Sequence, residues 1–376
     1  MNIHKINPDN KHDVQQFVHF PHILYKDDPT WVPPLISDIT FALNTNKHPF
    51  YKHSTAEFFI AENNGITLGR IALIDNKAYQ RFTNSHTGFF YFYEVVEDID
   101  VARRLFNAVF EEARERGLDM IFGPKGMIQG DSQGLLVEGF EYRPANGISY
   151  NPPYYDQYVL DSGFEKHSDY LSGYLTPDYK LPDRIVELAE RVKKRRGFWV
   201  KVFKDKAEMR QWIPQIQEVY NKAFTIVPGF CPISKEEVEI IAERIISVAD
   251  PSLIKLVFKE DQIVGFLFAY PNIANGLQRA KGKLWPFGWF HILRELNRTE
   301  WLDFNGIGLL PEHQGVGANA VLYVELEKSV RQFAQKQKIK HVDIVQVNEI
   351  NAKSMGEMKA LGIIWYKRHR VYQREL

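Results

Sequence analysis

The sequence predicts a mixed α/β fold built from two units of similar topology that follow one another along the chain. The same order of hairpin, strand, helix and strand patterns occurs in each half, with Gly69 and Gly265 at the same place in the two hairpins. Alternating or continuous apolar residues mark the strands, and apolar residues at helical spacing mark the connecting helices. The length of 376 residues also favours two domains over one.

In the first half, each element follows from its apolar pattern and from the turn signals that bound it. A hairpin precedes an apolar strand, an amphipathic helix, a short strand, and a closing helix with an aromatic-rich tail. These segments span 58–76, 88–100, 100–117, 118–124 and 154–175. The stretch 124–150 is rich in Gly, Pro and polar residues, which predicts a long, ordered loop of the kind that lines a site.

The second half repeats this order at 256–272, 304–310, 314–337, 341–347 and 352–376. An insertion at 273–299 separates its hairpin from the next strand and contains the strongly apolar segment 283–296. We expect this segment to pack against the neighbouring half. A lid, a substrate pocket and a membrane-facing anchor are the alternatives.

Between the halves, the sequence predicts a linker helix that has Pro182 in its first turn and ends at Gly197. The basic run at the end of this helix complements the helix dipole. The predicted division is an N-terminal domain over 1–178, a linker over 179–197 and a C-terminal domain over 198–376.

The composition argues against several classes of protein. Lys and Arg number 47, and so do Asp and Glu. Nucleic acids and anionic membranes both favour basic proteins, so neither is expected as the main partner. The one cysteine, Cys231, allows no internal disulfide, which is typical of a reducing compartment. No signal peptide and no run of about 20 apolar residues is found, so we expect a cytoplasmic protein without a membrane span.

No metal site is expected. His19, His22 and His313 have no carboxylate companion at ligand spacing, and the sequence contains no HExxH motif. The sequence does not indicate whether the protein is a monomer or a homodimer.

The sharpest local signal lies at 301–330, where an apolar strand runs through Pro311 and a glycine-bearing loop into a helix. Gly315 and Gly317 place little bulk on this loop, and Gln314 carries an amide donor. The first N–H groups of a helix are unpaired and bind anions well. The loop is therefore either an anion site or a turn that uses glycine for conformational reasons.

At these residues the sequence resembles the GNAT superfamily of acyl-CoA-dependent N-acetyltransferases. Leu309, Pro311, Gln314 and Gly317 fall on the positions of the superfamily's loop motif, whereas Asn319 stands where Gly or Ala is usual. A later block is similar at Asn351, Ala352 and 361–363, but Met358 replaces a tyrosine that serves other members as general acid. The stretches 25–35, 134–140 and 151–155 also resemble bacterial tandem proteins of this superfamily.

The resemblance implies two tandem GNAT-like units, of which the N-terminal one is degenerate. Its strand runs into its helix with Glu94, Glu97, Asp98 and Asp100 and without a Gly-x-Gly pattern, so a pyrophosphate would be repelled there. The C-terminal unit is then expected to bind acetyl-CoA or another acyl-CoA. The cofactor-binding residues that the resemblance implies are Ile307, Leu309, Gln314, Gly315, Val316, Gly317, Ala318, Asn319 and Asn351.

The implied reaction is transfer of the acyl group to the amine of a small molecule or peptide. Asp303 is the expected general base, with Glu300 as an alternative, and Tyr366 is the expected acid, with Tyr372 as an alternative. The backbone N–H of Leu309 is the expected polariser of the carbonyl group. Two other functions remain open: a non-catalytic ligand-binding or scaffold protein, and an aminoacyl-tRNA-dependent transferase of the same fold.

Overall fold

The structure, a computed structural model, describes residues 1–176 and 178–376. The chain forms two compact units, each drawn from discontinuous parts of the sequence. Unit 1 comprises Met1–Tyr170, Ala274–Ile292 and Lys367–Leu376, and unit 2 comprises Leu171–Ile273 and Leu293–Tyr366.

The strands and helices occur in the order that the sequence predicts for each half. The strands are β1 Asn2–Lys5, β2 Thr55–Asn63, β3 Ile66–Asp75, β4 Thr87–Val95, β5 Met120–Gly123, β6 Leu135–Glu138, β7 Glu165–Leu175, β8 Phe198–Val202, β9 Ile254–Lys259, β10 Gln262–Pro271, β11 Trp301–Leu309, β12 His341–Asn348 and β13 Ile364–Glu375. The helices are α1 Lys11–Leu24, α2 Ile36–Leu43, α3 Lys77–Thr83, α4 Ile99–Glu115, α5 Tyr154–Asp161, α6 Asp183–Arg196, α7 Lys206–Gln211, α8 Ile213–Ala223, α9 Lys235–Val248, α10 Ala274–Ala280, α11 Gly288–Leu296, α12 Ala318–Lys336 and α13 Ala352–Leu361. Short 3-10 turns span Pro49–Lys52, Pro251–Leu253 and Pro311–His313.

Helix ends lie where the sequence supplies capping groups. The side chain of Asn10 accepts a hydrogen bond from the first turn of α1, and Ser234 and Glu237 form a reciprocal capping box at the start of α9. Gly197 ends α6 and Gly362 ends α13, both in the left-handed conformation that glycine adopts without strain. The predicted stop at Gly197 is therefore confirmed.

The sheet of unit 1 has the order β1, β2, β3, β4, β5, followed by the last residues of β13. The β2–β3 and β3–β4 pairs are antiparallel, whereas β4 and β5 are parallel and are joined by the crossover helix α4. One face of α4 is fully buried and forms the core of the unit with the strands, through Val101, Leu105, Phe106, Val109 and Phe110.

The sheet of unit 2 has the order β8, β9, β10, β11, β12, β7. The β9–β10 hairpin and the β10–β11 pair are antiparallel, and β11 and β12 are parallel and joined by α12. Helix α12 packs on β9 and α8 packs on β10. Both units thus have the mixed α/β sheet and the crossover helix that the sequence predicts.

The compact units do not follow the sequential division at 178 and 197. Helix α6, predicted as a linker, packs against α12 inside unit 2, where Lys193 Nζ lies 2.6 Å from Glu325 Oε1. The last ten residues belong to unit 1 because β13 pairs with β5 from Tyr372 to Glu375. The insertion is also divided, and its part from Ala274 to Ile292 belongs to unit 1.

Candidate active site

The two strands that flank the α12 crossover pair over only part of their length. Trp301 to Phe304 of β11 pair with His341 to Ile344 of β12, and the register continues no further in the described chain. The register between β10 and β11 shifts at Asn305, which forms a bulge at the point where β11 leaves β12. In the described chain, the edge of β11 from Asn305 to Leu309 is therefore not paired with β12.

Strand alternation determines which groups lie on this unpaired side of β11. Leu310 N–H donates to Val264 O of β10, so the peptide groups of Leu309 and Ile307 point the other way, towards β12. Gln314 Nε2 donates to Leu309 O at 3.1 Å, and Lys353 Nζ donates to Gln314 Oε1 at 3.1 Å. The loop after β11 is thus tied to the end of the unpaired edge.

The start of α12 is open. Gly317 precedes the helix with φ of 91°, and no side chain caps the helix. Within the part of the chain that the structure describes, no oxygen accepts a hydrogen bond from N–H of Gly315, Val316 or Gly317. Arg196 Nη1 donates to Val316 O at 3.0 Å, which brings a cation next to these amides. Unpaired N–H groups at a positive helix end with a neighbouring guanidinium favour the binding of an anion.

The two glycines of the loop have different roles. A Cβ atom on Gly315 would meet no atom within 4 Å, so this residue leaves space on the outer side of the loop. A Cβ on Gly317 would lie 2.8 Å from Val192 Cγ2 and 3.3 Å from Leu188 Cδ1. Gly317 is therefore required by the close packing of α6 on α12 and by its positive φ.

The corresponding place in unit 1 is closed. Asp98 caps α4 by accepting a hydrogen bond from Asp100 N–H at 2.9 Å, so a carboxylate already occupies that helix terminus. At the end of β4, Val95 N–H donates to Tyr155 Oη at 2.7 Å, and Tyr154 Oη donates to Val95 O at 2.8 Å. Side chains of unit 1 thus occupy the groups that its strand edge would offer to a ligand.

Two carboxylates lie side by side where β11 and β12 still pair. Asp303 and Asp343 are opposite each other in the register, and both are buried. Asn272 Nδ2 donates to both oxygens of Asp303, at 3.0 and 3.1 Å. Tyr366 Oη donates to Asp343 Oδ2 at 2.7 Å. Polar side chains thus hold each carboxylate in position.

The phenols beside these carboxylates stay protonated. Burial raises the pKa of Tyr366 far above its usual range, and the neighbouring Asp343 and Asp303 carboxylates raise it further. Burial and Asp303 raise the pKa of Tyr270 in the same direction. Both side chains therefore keep their hydroxyl proton at physiological pH.

An aromatic group borders the carboxylates. The ring of Trp301 lies 4.3 Å from that of His341, and the ring of Tyr174 lies 5.7 Å from that of Tyr366. Tyr174 Oη and His341 Nδ1 are hydrogen-bonded to each other. The two carboxylates, a histidine and several aromatic rings therefore lie within one part of unit 2.

The structure brings some predicted residues together and separates others. Asp303 and Tyr366 lie in one cluster. Tyr372 lies in unit 1, where its hydroxyl donates to Asp156, and Met358 is a core residue. Glu300 forms an ion pair with Lys340 at 2.7 Å.

Asn351 has a structural task, because its side chain accepts a hydrogen bond from Ser354 N–H at the start of α13. Sequence reasoning missed Asp343. The sequence does carry a signal for this residue, because Asp343 is a charged residue in the middle of an apolar strand.

Two kinds of feature are absent from the described residues. Among them, no three or more His, Cys, Asp or Glu side chains form a group able to hold a metal ion. In the same residues, no helix has both the length and the apolar character needed to cross a membrane.

Solved structures identify the fold. The chain is similar over its whole length to a tandem GNAT protein from the clavulanic acid biosynthesis pathway, with a TM-score of 0.57, 11% identity and 98% of that chain covered. It is also similar over its whole length to a GCN5-related N-acetyltransferase from Sphaerobacter thermophilus, with a TM-score of 0.50, 11% identity and 95% of that chain covered. The protein therefore has the tandem GNAT fold, as the sequence predicts.

Two curated proteins are similar to nearly the whole chain. Protein YghO of Escherichia coli K12 is 25% identical over 373 residues, which cover 98% of this chain and 94% of that protein. Bacterial ceramide synthase of Caulobacter vibrioides is 27% identical over 372 residues, which cover 97% of this chain and 95% of that protein. No protein-family model matches the chain.

Proposed function

We propose that this protein is an acyl-CoA-dependent N-acyltransferase and that unit 2 binds the acyl-CoA. The observation that carries the proposal is the uncapped start of α12 beside the unpaired edge of β11. The tandem GNAT fold supports acyl transfer in general. The closed counterpart in unit 1 supports a single cofactor site, because Asp98 already caps the helix there.

The separation of the two parts of the site suits an extended ligand. Leu309 lies about 20 Å along the strand from Asp303, at the usual rise per residue. In this proposal the amides of Gly315 to Asn319 hold the diphosphate, and Leu309 N–H together with the N–H and C=O of Ile307 hold the pantetheine arm of the acyl-CoA. Leu309 N–H is then too far from Asp303 to polarise the carbonyl group that reacts, so we assign Leu309 to cofactor binding.

Bound acyl-CoA would supply an acyl group activated as a thioester. The amine nitrogen forms a bond to the carbonyl carbon, the carbon–sulfur bond breaks, and one proton must pass from the amine to the departing sulfur. Asp303 can accept this proton and return it to sulfur, with Asn272 holding the carboxylate in place. A phenol with a raised pKa is a weak acid, so the proposed role of Tyr366 changes from proton donor to support of Asp343 through a hydrogen bond.

For the acceptor, we propose the amino group of a long-chain amino alcohol, and for the donor a fatty acyl-CoA. The support is the similarity to the Caulobacter protein named bacterial ceramide synthase, which extends over nearly the full length of both chains. A ceramide is the amide of a fatty acid with a long-chain amino alcohol. Its formation is the N-acyl transfer proposed for this site.

Two substitutions at Gly315 that differ in charge test the cofactor site. This glycine has φ of 75° and open space around its Cβ position, and both Asn and Asp tolerate such a backbone. Gly315→Asp should weaken CoA binding about 10-fold or more, because its carboxylate repels the diphosphate, whereas Gly315→Asn should change binding only a few-fold. Titration calorimetry with CoA measures both. Equal effects of the two variants, or no binding of CoA by the unaltered protein at millimolar concentration, would contradict the proposal.

A further inference from the structure

A second surface of the protein has a character that the proposed site does not use. Between α10 and the middle of α11, large apolar side chains point into solvent: Trp285 is 79% exposed, Phe287 is 70% exposed and Phe290 is 51% exposed. Leu284 and Trp289 are exposed beside them. We call these five residues the aromatic surface. The packing role expected from the sequence is therefore wrong for these side chains.

Hydrogen bonds hold the aromatic surface in shape. Trp289 N–H donates to Leu284 O at 3.0 Å, and the indole of Trp289 donates to Pro286 O at 2.9 Å. At its base, Ile36 N–H donates to Gly282 O at 2.9 Å. Because these hydrogen bonds fix the backbone both within the aromatic surface and at its base, the exposed rings belong to an ordered segment.

Along the chain, the charged side chains of this segment have one sign. From Arg279 to Arg294 the chain carries Lys and Arg side chains and no Asp or Glu. Lys281 and Lys283 are exposed immediately before the aromatic surface, and Arg294 is exposed further along α11. The chain as a whole has no net charge, so this local excess of positive charge is not a general property of the protein.

We propose that the aromatic surface docks the protein on an anionic phospholipid bilayer. Tryptophan and phenylalanine favour the boundary between headgroups and acyl chains, and neighbouring lysines are attracted to anionic headgroups. Exposed aromatic rings in a segment whose charged side chains from Arg279 to Arg294 are all cations match both features. The zero net charge argued against an anionic membrane as a partner, but it averages over the chain and conceals this local pattern.

The proposal describes binding to the surface of the bilayer, and it does not depend on the proposed reaction. Flotation of the full-length protein with vesicles tests it. Binding is expected to vesicles of phosphatidylglycerol and phosphatidylcholine, and at least 10-fold weaker binding to pure phosphatidylcholine. Trp285→Ser with Phe287→Ser should lower binding to the anionic vesicles at least 10-fold. Lys281→Gln with Lys283→Gln should lower it too and reduce its dependence on salt.

A matched control replaces two exposed apolar residues elsewhere in unit 1. Ile66 is 65% exposed and Phe82 is 42% exposed, so Ile66→Ser with Phe82→Ser removes similar side chains and should leave vesicle binding unchanged. Thermal unfolding and CoA calorimetry on each variant verify that the fold and the cofactor site are intact. CoA binding and vesicle binding are separate readouts, so failure of one proposal can be told from failure of the other.

Two results would overturn the membrane proposal. One is absence of flotation by the unaltered protein with anionic vesicles at low salt. The other is a homodimer in sedimentation that the Trp285→Ser, Phe287→Ser variant converts to a monomer while vesicle binding is absent, because a second copy would then cover the aromatic surface.

Discussion

At the scale of single residues, the proposed chemistry depends on Asp303. Asp303→Asn keeps the shape of the side chain and removes its ability to accept a proton. In an assay with fatty acyl-CoA and a long-chain amino alcohol, we expect the unaltered protein to form amide and free thiol. The variant should lower kcat by about 10² to 10⁴ while CoA affinity changes only a few-fold.

Glu300→Gln is the matched control for this assay. Glu300 is the other carboxylate that the sequence suggested as base, and it is paired with Lys340. This variant should keep nearly full activity. A fully active Asp303→Asn variant would contradict the assignment of Asp303 as the general base. Binding of CoA without turnover of any amine would favour the non-catalytic alternative.

Some of these residues could be predicted from the sequence, whereas their contacts with one another could not. Asp303 could be proposed because it precedes a loop motif that is visible in the sequence. Asp343 could not be placed next to it, because the register of two parallel strands joined by a helix depends on how the helix packs. Tyr366 was also a candidate from the sequence, but its hydrogen bond to Asp343 depends on the order of β13, β7 and β12 in the sheet.

At the scale of elements, the order of strand, loop and helix was predictable from periodicity, proline and glycine. The separate tasks of Gly315 and Gly317 were not, because the neighbour of Gly317 is α6, which is distant along the chain. The sequence likewise predicted α6 as a helix but not its packing against α12 inside unit 2. Local patterns thus predict elements, and contacts between elements assign residues to roles.

This difference between the glycines predicts unequal losses of stability. Gly315→Ala should lower the free energy of unfolding by about 1 kcal/mol, because alanine is strained at positive φ. Gly317→Ala should lower the free energy of unfolding by about 1 to 3 kcal/mol more, since its Cβ would collide with the buried Val192. Urea unfolding of the two variants measures the difference. Equal losses would show that α6 can move away from α12 without cost.

At the scale of the whole molecule, the repeated order of elements predicted two units, but it could not predict which segments belong to each. Residues 367–376 follow unit 2 along the chain and belong to unit 1, because their partner strand β5 lies there. The segment from Ala274 to Ile292 interrupts unit 2 in the same manner. Such membership depends on long-range strand pairing and packing, which single-sequence patterns do not encode.

This assignment predicts where local stability is lost. Tyr372 is fully buried in unit 1 and Met358 is almost fully buried in unit 2, so each alanine substitution should cost about 2 to 5 kcal/mol. Hydrogen exchange should show Tyr372→Ala lowering the protection of β4 and β5 while β11 and β12 keep theirs, and Met358→Ala should do the reverse. The two variants serve as controls for each other. Equal loss of protection in all four strands with either variant would mean that the chain opens as one cooperative body, and that Lys367–Leu376 stabilises both units alike.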